Sequence, residues 1–177
     1  MHRLFVGIRP PRDIRDTLLA EMEGVPGARW QDDAQLHITL RFIGAVERPV
    51  AEEIALTLGS VSADPFSLRL GGVGAFDRRG RTHALWAGVT PPERVAHLHR
   101  KIDQALVRLG LEPERRAYLP HVTLARLSAG AGMVAPWLAD HGALTTPAFA
   151  VEEFLLYESH LGSGGASYEA IARYPLR

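Results

Sequence analysis

The chain has no cysteine and a single lysine, Lys101, and its acidic and basic side chains cancel to a net charge of zero. Without cysteine there are no disulfides, no thiolate nucleophile and no cysteine-based zinc site. Zero net charge means no global basic field of the kind that grips a long stretch of nucleic acid. Recognition at one phosphate or one chain end stays compatible with it. No apolar run reaches the roughly 20 residues that a membrane-spanning helix needs. Met1-His2-Arg3 leads into only a short apolar stretch before Arg9-Pro10-Pro11, which does not resemble a secretion signal. The expected setting is the cytoplasm, away from membranes. Metal-binding patterns are missing too: there is no His-Glu-x-x-His and no helical histidine pair at i, i+4. His97 and His99 lie two apart on a predicted helix and so on different faces. His2, His83, His141 and His160 lack partners at ligand spacing. No metal and no cofactor is expected.

What is present is an ordinary globular composition, 46% apolar and 23% charged over 177 residues, enough for one domain or two small merged lobes. Leu4 to Ile8 reads as a buried strand stopped by Arg9-Pro10-Pro11. Ile14, Leu18, Leu19 and Met22 follow at helical spacing up to Gly24. A second helix opens at Pro49 and stops at Gly59, and a third opens at Pro91-Pro92 and ends at Gly110. Phe66–Phe76 and Thr82–Val89 flank the polar turn Asp77-Arg78-Arg79-Gly80 as a hairpin. Met133–Ala139 is a short helix or turn. Phe149–Ser159 and Tyr168–Leu176 close the chain as two strands around a glycine-rich loop. We expect an α+β or α/β chain: residues 1–177 as one bilobal domain, with two antiparallel-rich sheets and flanking helices around a central cleft.

The stretch that organises this order occurs twice. Leu36-His37-Ile38-Thr39-Leu40 and Pro120-His121-Val122-Thr123-Leu124 both read His-apolar-Thr-Leu. In a strand, His37 and Thr39 share one face about 6.6 Å apart, at about 3.3 Å per residue, and Leu36, Ile38 and Leu40 take the other. The second copy repeats this with His121 and Thr123 opposite Val122 and Leu124. One such tripeptide is an ordinary half-exposed strand. Two on opposite halves of a chain supply two imidazoles and two hydroxyls to one cleft. Histidine both gives and takes protons near neutral pH, so a pair flanking a phosphorus serves as base and acid for in-line displacement. The threonine hydroxyls would stabilise charge on the non-bridging oxygens. Arg41 shares the His37 face by alternation and is a candidate phosphate ligand. A solvated strand end explains it equally. Phe42 and Trp86 read as core, and the Arg78-Arg79-Gly80-Arg81 turn reads as a solvated hairpin tip or an RNA-backbone contact.

The doubled motif resembles the signature of the two-histidine phosphoesterase superfamily. The longer strings, Trp30 with Leu36 through Gly44, and Pro120 through Arg126, are similar to the RNA 2′,3′-cyclic phosphodiesterases, also known as the 2′-5′ RNA ligase family. Leu4–Ile8, Leu85–Val89, Tyr168 and Pro175-Leu176 agree with that branch, so the likeness spans nearly the whole chain. The resemblance implies a metal-independent bilobal fold with His37 and His121 as the catalytic pair and Thr39 and Thr123 as phosphate ligands. Arg126 falls on an arginine of the second motif, although simple alternation turns it away from His121. The implied partners are RNA ends or nucleotides bearing a 2′,3′-cyclic phosphate. The implied reaction leaves a 2′-phosphate, with reversible 2′-5′ RNA ligation as a further reaction of the same acid and base, and we expect a monomer. It also favours His121 as base and His37 as acid, which the symmetry of the two motifs leaves open. The alternatives are a non-catalytic nucleotide or RNA-end binding module, or a phosphodiesterase acting on cyclic nucleotides or 2′-5′ oligoadenylate.

Overall fold

The structure, a computed structural model, describes residues 1–177. Proline and glycine punctuate the helices much as the sequence suggests. Pro11 precedes α1 (Arg12–Ala20), Pro49 lies in the first turn of α2 (Arg48–Leu58), and Pro92 precedes α3 (Glu93–Leu109). Gly110 ends α3 in a left-handed conformation, φ 116°, which a residue with a Cβ rarely adopts. A short α4 runs from Ala135 to His141. No helix is long and apolar enough to cross a membrane.

The strands are β1 (His2–Ile8), β2 (Arg29–Trp30), β3 (Ile38–Val46), β4 (Phe66–Arg78), β5 (Arg81–Thr90), β6 (His121–Arg126), β7 (Phe149–Val151), β8 (Glu153–Gly162) and β9 (Gly165–Pro175). They form one nine-stranded sheet in the order β7-β4-β5-β6-β3-β1-β8-β9, with β2 added beside β6. Every ladder is antiparallel. The two expected sheets are thus two sections of one, and between β3 and β6 they meet at a single residue pair, Ile38 opposite Val122. Beyond it β2 takes over the edge of β6, with Arg29 opposite Arg126 and Trp30 opposite Ala125. The predicted strand Phe149–Ser159 is broken at Glu152. Its first piece pairs with β4 in one section, and its second pairs with β1 in the other.

One face of the sheet is sealed by the main core. Leu36, Ile38, Leu40, Val122 and Leu124 join Ile14, Leu18, Ile54, Leu98 and Ile102 from the helices there. The opposite face carries a small second cluster, Phe5, Leu155 and Tyr157, with Tyr168 packed on it. Both motif strands bulge just after their threonine. Thr39 faces Gly7 and Arg41 faces Val6, which leaves Leu40 as the extra residue. Thr123 faces Trp86 and Ala125 faces Leu85, which leaves Leu124. A bulge shifts the alternation by one from that point on, and this decides what reaches the cleft.

Candidate active site

His37 lies just ahead of β3, held by the turn before it. Asp32 and Gln35 close a reciprocal capping box around a 3₁₀ turn at Asp33–Gln35. The Gln35 carbonyl receives a hydrogen bond from His37 Nδ1 at 2.8 Å. Because a carbonyl only accepts, Nδ1 carries the hydrogen, and in the neutral ring Nε2 bears the lone pair. That lone pair accepts from the Thr39 hydroxyl at 2.8 Å. Arg9 fixes the same segment, donating from Nη1 to the carbonyls of Asp33 at 2.7 Å and Leu36 at 2.8 Å. Phe5, Tyr157 and Tyr168 wall the imidazole, with ring centroids 4.8, 5.9 and 5.4 Å away. Gly7 lies against it: a Cβ there would stand 2.9 Å from the Ile38 carbonyl and 3.3 Å from His37 Cδ2. Burial is the main reason the His37 pKa falls to about 4. The Gln35 carbonyl opposes that fall, and the positive fields of His121, Arg9 and Arg126 deepen it.

His121 opens β6 and repeats the arrangement. Its Nδ1 donates to the Leu119 carbonyl at 2.7 Å, two residues back as in the first motif, so the same tautomer is imposed. Its Nε2 makes no hydrogen bond within the protein. Phe76 meets it edge-on at 4.9 Å and Trp86 tilts toward it at 6.1 Å. Trp86 lies there because its partner across the ladder is Gly74, where a Cβ would stand 2.2 Å from the indole. Burial again pushes the His121 pKa down, against the pull of the Leu119 carbonyl, with Arg126 adding to the depression. Arg126 thus acts on both imidazoles, and His121 on His37: the two histidines share one electrostatic field.

The bulges account for the remaining side chains. Alternation would turn Arg126 away from His121. The extra residue Leu124 returns it to the exposed face carrying His121 and Thr123, while Leu124 and Ala125 stay buried. The matching bulge at Leu40 has the opposite effect on Arg41. The phosphate-ligand reading of Arg41 is corrected here, because its guanidinium is only 7% exposed and already committed. It donates to Asp103 Oδ1 at 2.7 Å and to the carbonyls of Phe42 and Glu112. Phe42 is corrected as well: it is 51% exposed and lines a cavity of about 410 Å³ together with Thr39, Phe76, Arg116, Tyr118 and His121. Arg78, from the expected hairpin tip, lines the same cavity. Trp86 is half-buried beside His121, between core and cleft.

Several contributors escaped the sequence reading. Tyr118 donates its hydroxyl to the Thr39 carbonyl at 2.8 Å and stacks flat on His99, centroids 4.0 Å apart. His99 Nδ1 donates to the carbonyl of Leu40, the bulged residue, at 2.6 Å. A bulge leaves backbone groups without ladder partners, and His99 satisfies one of them. The signal for His99 was its place on the apolar face of α3, beside Val95, Leu98 and Ile102. Arg9, Tyr157 and Tyr168 carry no local pattern that marks them, because only strand pairing brings them to His37.

A sheet with two His-Thr pairs facing one cleft is the architecture of a phosphoesterase with two halves, and comparison with known proteins gives the family. Residues 10–163 match the model of the 2′-5′ RNA ligase superfamily. An RNA 2′,3′-cyclic phosphodiesterase of Aeropyrum pernix is 34% identical over 151 residues, covering 84% of this chain and 85% of that protein. One from Bacillus subtilis is 28% identical over 178 residues, covering 97% and 95%. The crystal structure of Escherichia coli LigT complexed with 3′-AMP superposes with a TM-score of 0.79 at 27% identity, over 99% of this chain and 98% of that one. The chain belongs to the 2′-5′ RNA ligase superfamily.

Proposed function

We propose that this chain opens terminal 2′,3′-cyclic phosphates on RNA and leaves a 2′-phosphate. The observation that carries the reading is the repeated setting of the two histidines. Each has Nδ1–H tied to a carbonyl two residues back, so each neutral ring turns a basic Nε2 away from its own backbone. In the reaction His121 Nε2, which has no partner in the chain, takes a proton from water. The water oxygen bonds to phosphorus, the P–O3′ bond breaks, and Nε2–H of His37 gives its proton to the departing 3′ oxygen. Thr39, Thr123 and Arg126 serve the non-bridging oxygens, where charge accumulates. The anionic phosphate places a negative charge beside His37, which raises its pKa and favours the protonated acid. With an RNA 5′-hydroxyl in place of water the same groups serve 2′-5′ ligation: the 5′ oxygen bonds to phosphorus, the P–O3′ bond breaks, and a 2′-5′ phosphodiester with a free 3′-hydroxyl results. One chain supplies both histidines, so we assign the activity to a monomer.

The test is turnover of a 2′,3′-cyclic mononucleotide and of an oligonucleotide ending in one, in EDTA, by the wild type, His37→Ala and His121→Ala. We expect 2′-phosphate product, no dependence on metal, and losses of about 10²–10⁴-fold in each variant. Binding without turnover in the wild type would favour the binding-module reading. Near-normal rates in either variant would overturn the two-histidine mechanism.

A further inference from the structure

Where the β8–β9 hairpin leaves β1, it carries a group of side chains that the proposed phosphodiesterase chemistry does not use. Glu158, His160 and Glu169 each bring a ligand atom within 4.8 Å of the other two. His160 Nε2 lies 3.1 Å from Glu169 Oε2, and His2, from β1, holds Glu158 Oε1 through Nδ1 at 2.7 Å. We propose that this group is a binding site for a divalent transition-metal ion of the zinc class, ligated by Glu158, His160 and Glu169, with His2 orienting Glu158.

Sequence spacing hid the site because it is built across strands. Glu158 and Glu169 stand directly opposite each other in the ladder, and His160 is two residues along β8 on the same face. Two carboxylates in a directly opposed pair repel, and sheets seldom place like charges there. A cation between them removes that cost. One imidazole with two carboxylates suits zinc and its neighbours better than magnesium or calcium, which prefer all-oxygen shells. Bonds of about 2.0–2.2 Å to nitrogen and oxygen put ligand atoms roughly 3.3 Å apart around a tetrahedral centre. The three atoms, within 4.8 Å of one another, would draw in toward that spacing around an ion. His2 supplies the outer hydrogen bond that ligating carboxylates characteristically receive.

Position gives the ion a task. The β1–β8 ladder runs from Leu4–Glu158 to Gly7–Leu155, while β8 and β9 stay paired out to Gly162–Gly165. Past Glu158 the hairpin is a two-stranded ribbon, a structure of marginal stability in water. The ion would staple the root of that ribbon. Tyr157 and Tyr168, the next residues along each strand, point to the opposite face and wall His37. The site is therefore a clamp behind the cleft and takes no part in bond cleavage.

The test uses the full chain carrying His37→Ala and His121→Ala, so that the cleft imidazoles cannot bind the probe. After chelator treatment the protein is titrated with Zn(II) by calorimetry and with Co(II) by visible absorption. We expect one saturable equivalent, Co(II) d–d bands of a low-coordinate site with nitrogen and oxygen ligands, and a melting temperature that rises with Zn(II). Adding His160→Ala or Glu169→Gln should weaken binding by more than 100-fold and abolish the rise. His2→Ala should weaken it by about 10–100-fold, and His97→Ala should leave it unchanged. No saturable equivalent, or equal binding with and without His160 and Glu169, overturns the proposal. Neither result depends on whether the chain hydrolyses cyclic phosphates.

Discussion

At the scale of single residues, the candidate site depends on one missing Cβ and one added charge. Gly7→Ala would place a methyl 2.9 Å from the Ile38 carbonyl and against the His37 ring. We expect a stability loss of about 1–3 kcal/mol from overpacking and a fall in kcat of up to about 10²-fold, the cost of misplacing a reacting group by 1 Å. Chemical denaturation and steady-state kinetics check the two halves, and an unchanged kcat would show that Gly7 does not set the position of His37. Arg126→Gln removes a positive field that lowers the pKa of both histidines. Both limbs of the pH–rate profile should move to higher pH, as macroscopic values of the pair. A profile that only scales downward would confine Arg126 to holding phosphate. His37, Thr39, His121 and Thr123 were legible in the sequence because the motif is written twice. Phe5, Tyr157, Tyr168 and Phe76 were not, because each reads as an ordinary apolar strand residue until pairing gathers them.

At the scale of elements, the two bulges separate what alternation predicts from what the strands do. Neither Leu40 nor Leu124 has a glycine or proline beside it, so nothing in the sequence marks either bulge. Strand alternation alone exchanges the roles of Arg41 and Arg126. The first bulge is braced from outside by Arg41, Asp103 and His99. Arg41→Ala should therefore act on folding: it leaves Asp103 without its partner at a site 7% exposed on the arginine side, and we expect a loss of about 3–5 kcal/mol. Denaturant midpoints measure it. A stable Arg41→Ala protein with weakened phosphate binding would restore the discarded role. The helices were readable because proline and glycine punctuate them. The break at Glu152 was not, since the Glu152-Glu153 pair that interrupts the apolar residues has no glycine or proline beside it to mark a change of partner.

At the scale of the molecule, the proposed site makes folding sensitive to acid. The His37 pKa lies near 4 in the folded chain and at 6.5 when unperturbed. Between those values the unfolded chain takes up a proton that the folded one refuses, so stability falls as pH drops through the window and is flat above it. His121 acts in the same direction. Asp33, held below its ordinary value of 3.8 chiefly by its hydrogen bond to Arg15, gives up its contribution only at still lower pH. Urea midpoints at pH 7.5 and pH 5 should therefore differ more in the wild type than in His37→Gln. Equal differences would mean that burying this imidazole carries no such cost.

The strand order also sets a timetable for synthesis. β1 and β3, which flank His37, precede β4 to β7 in the chain, yet their section of the sheet is completed by β8 and β9, which follow them. The His121 section, from β4 to β7, is contiguous in the chain and lies between them. A domain assembles around contacts already synthesised, and distant pairings wait for their partners. On the ribosome the second motif therefore comes to rest before the first. The section around the first motif is the one that waits, because β8 and β9 follow every strand of the other section in the chain.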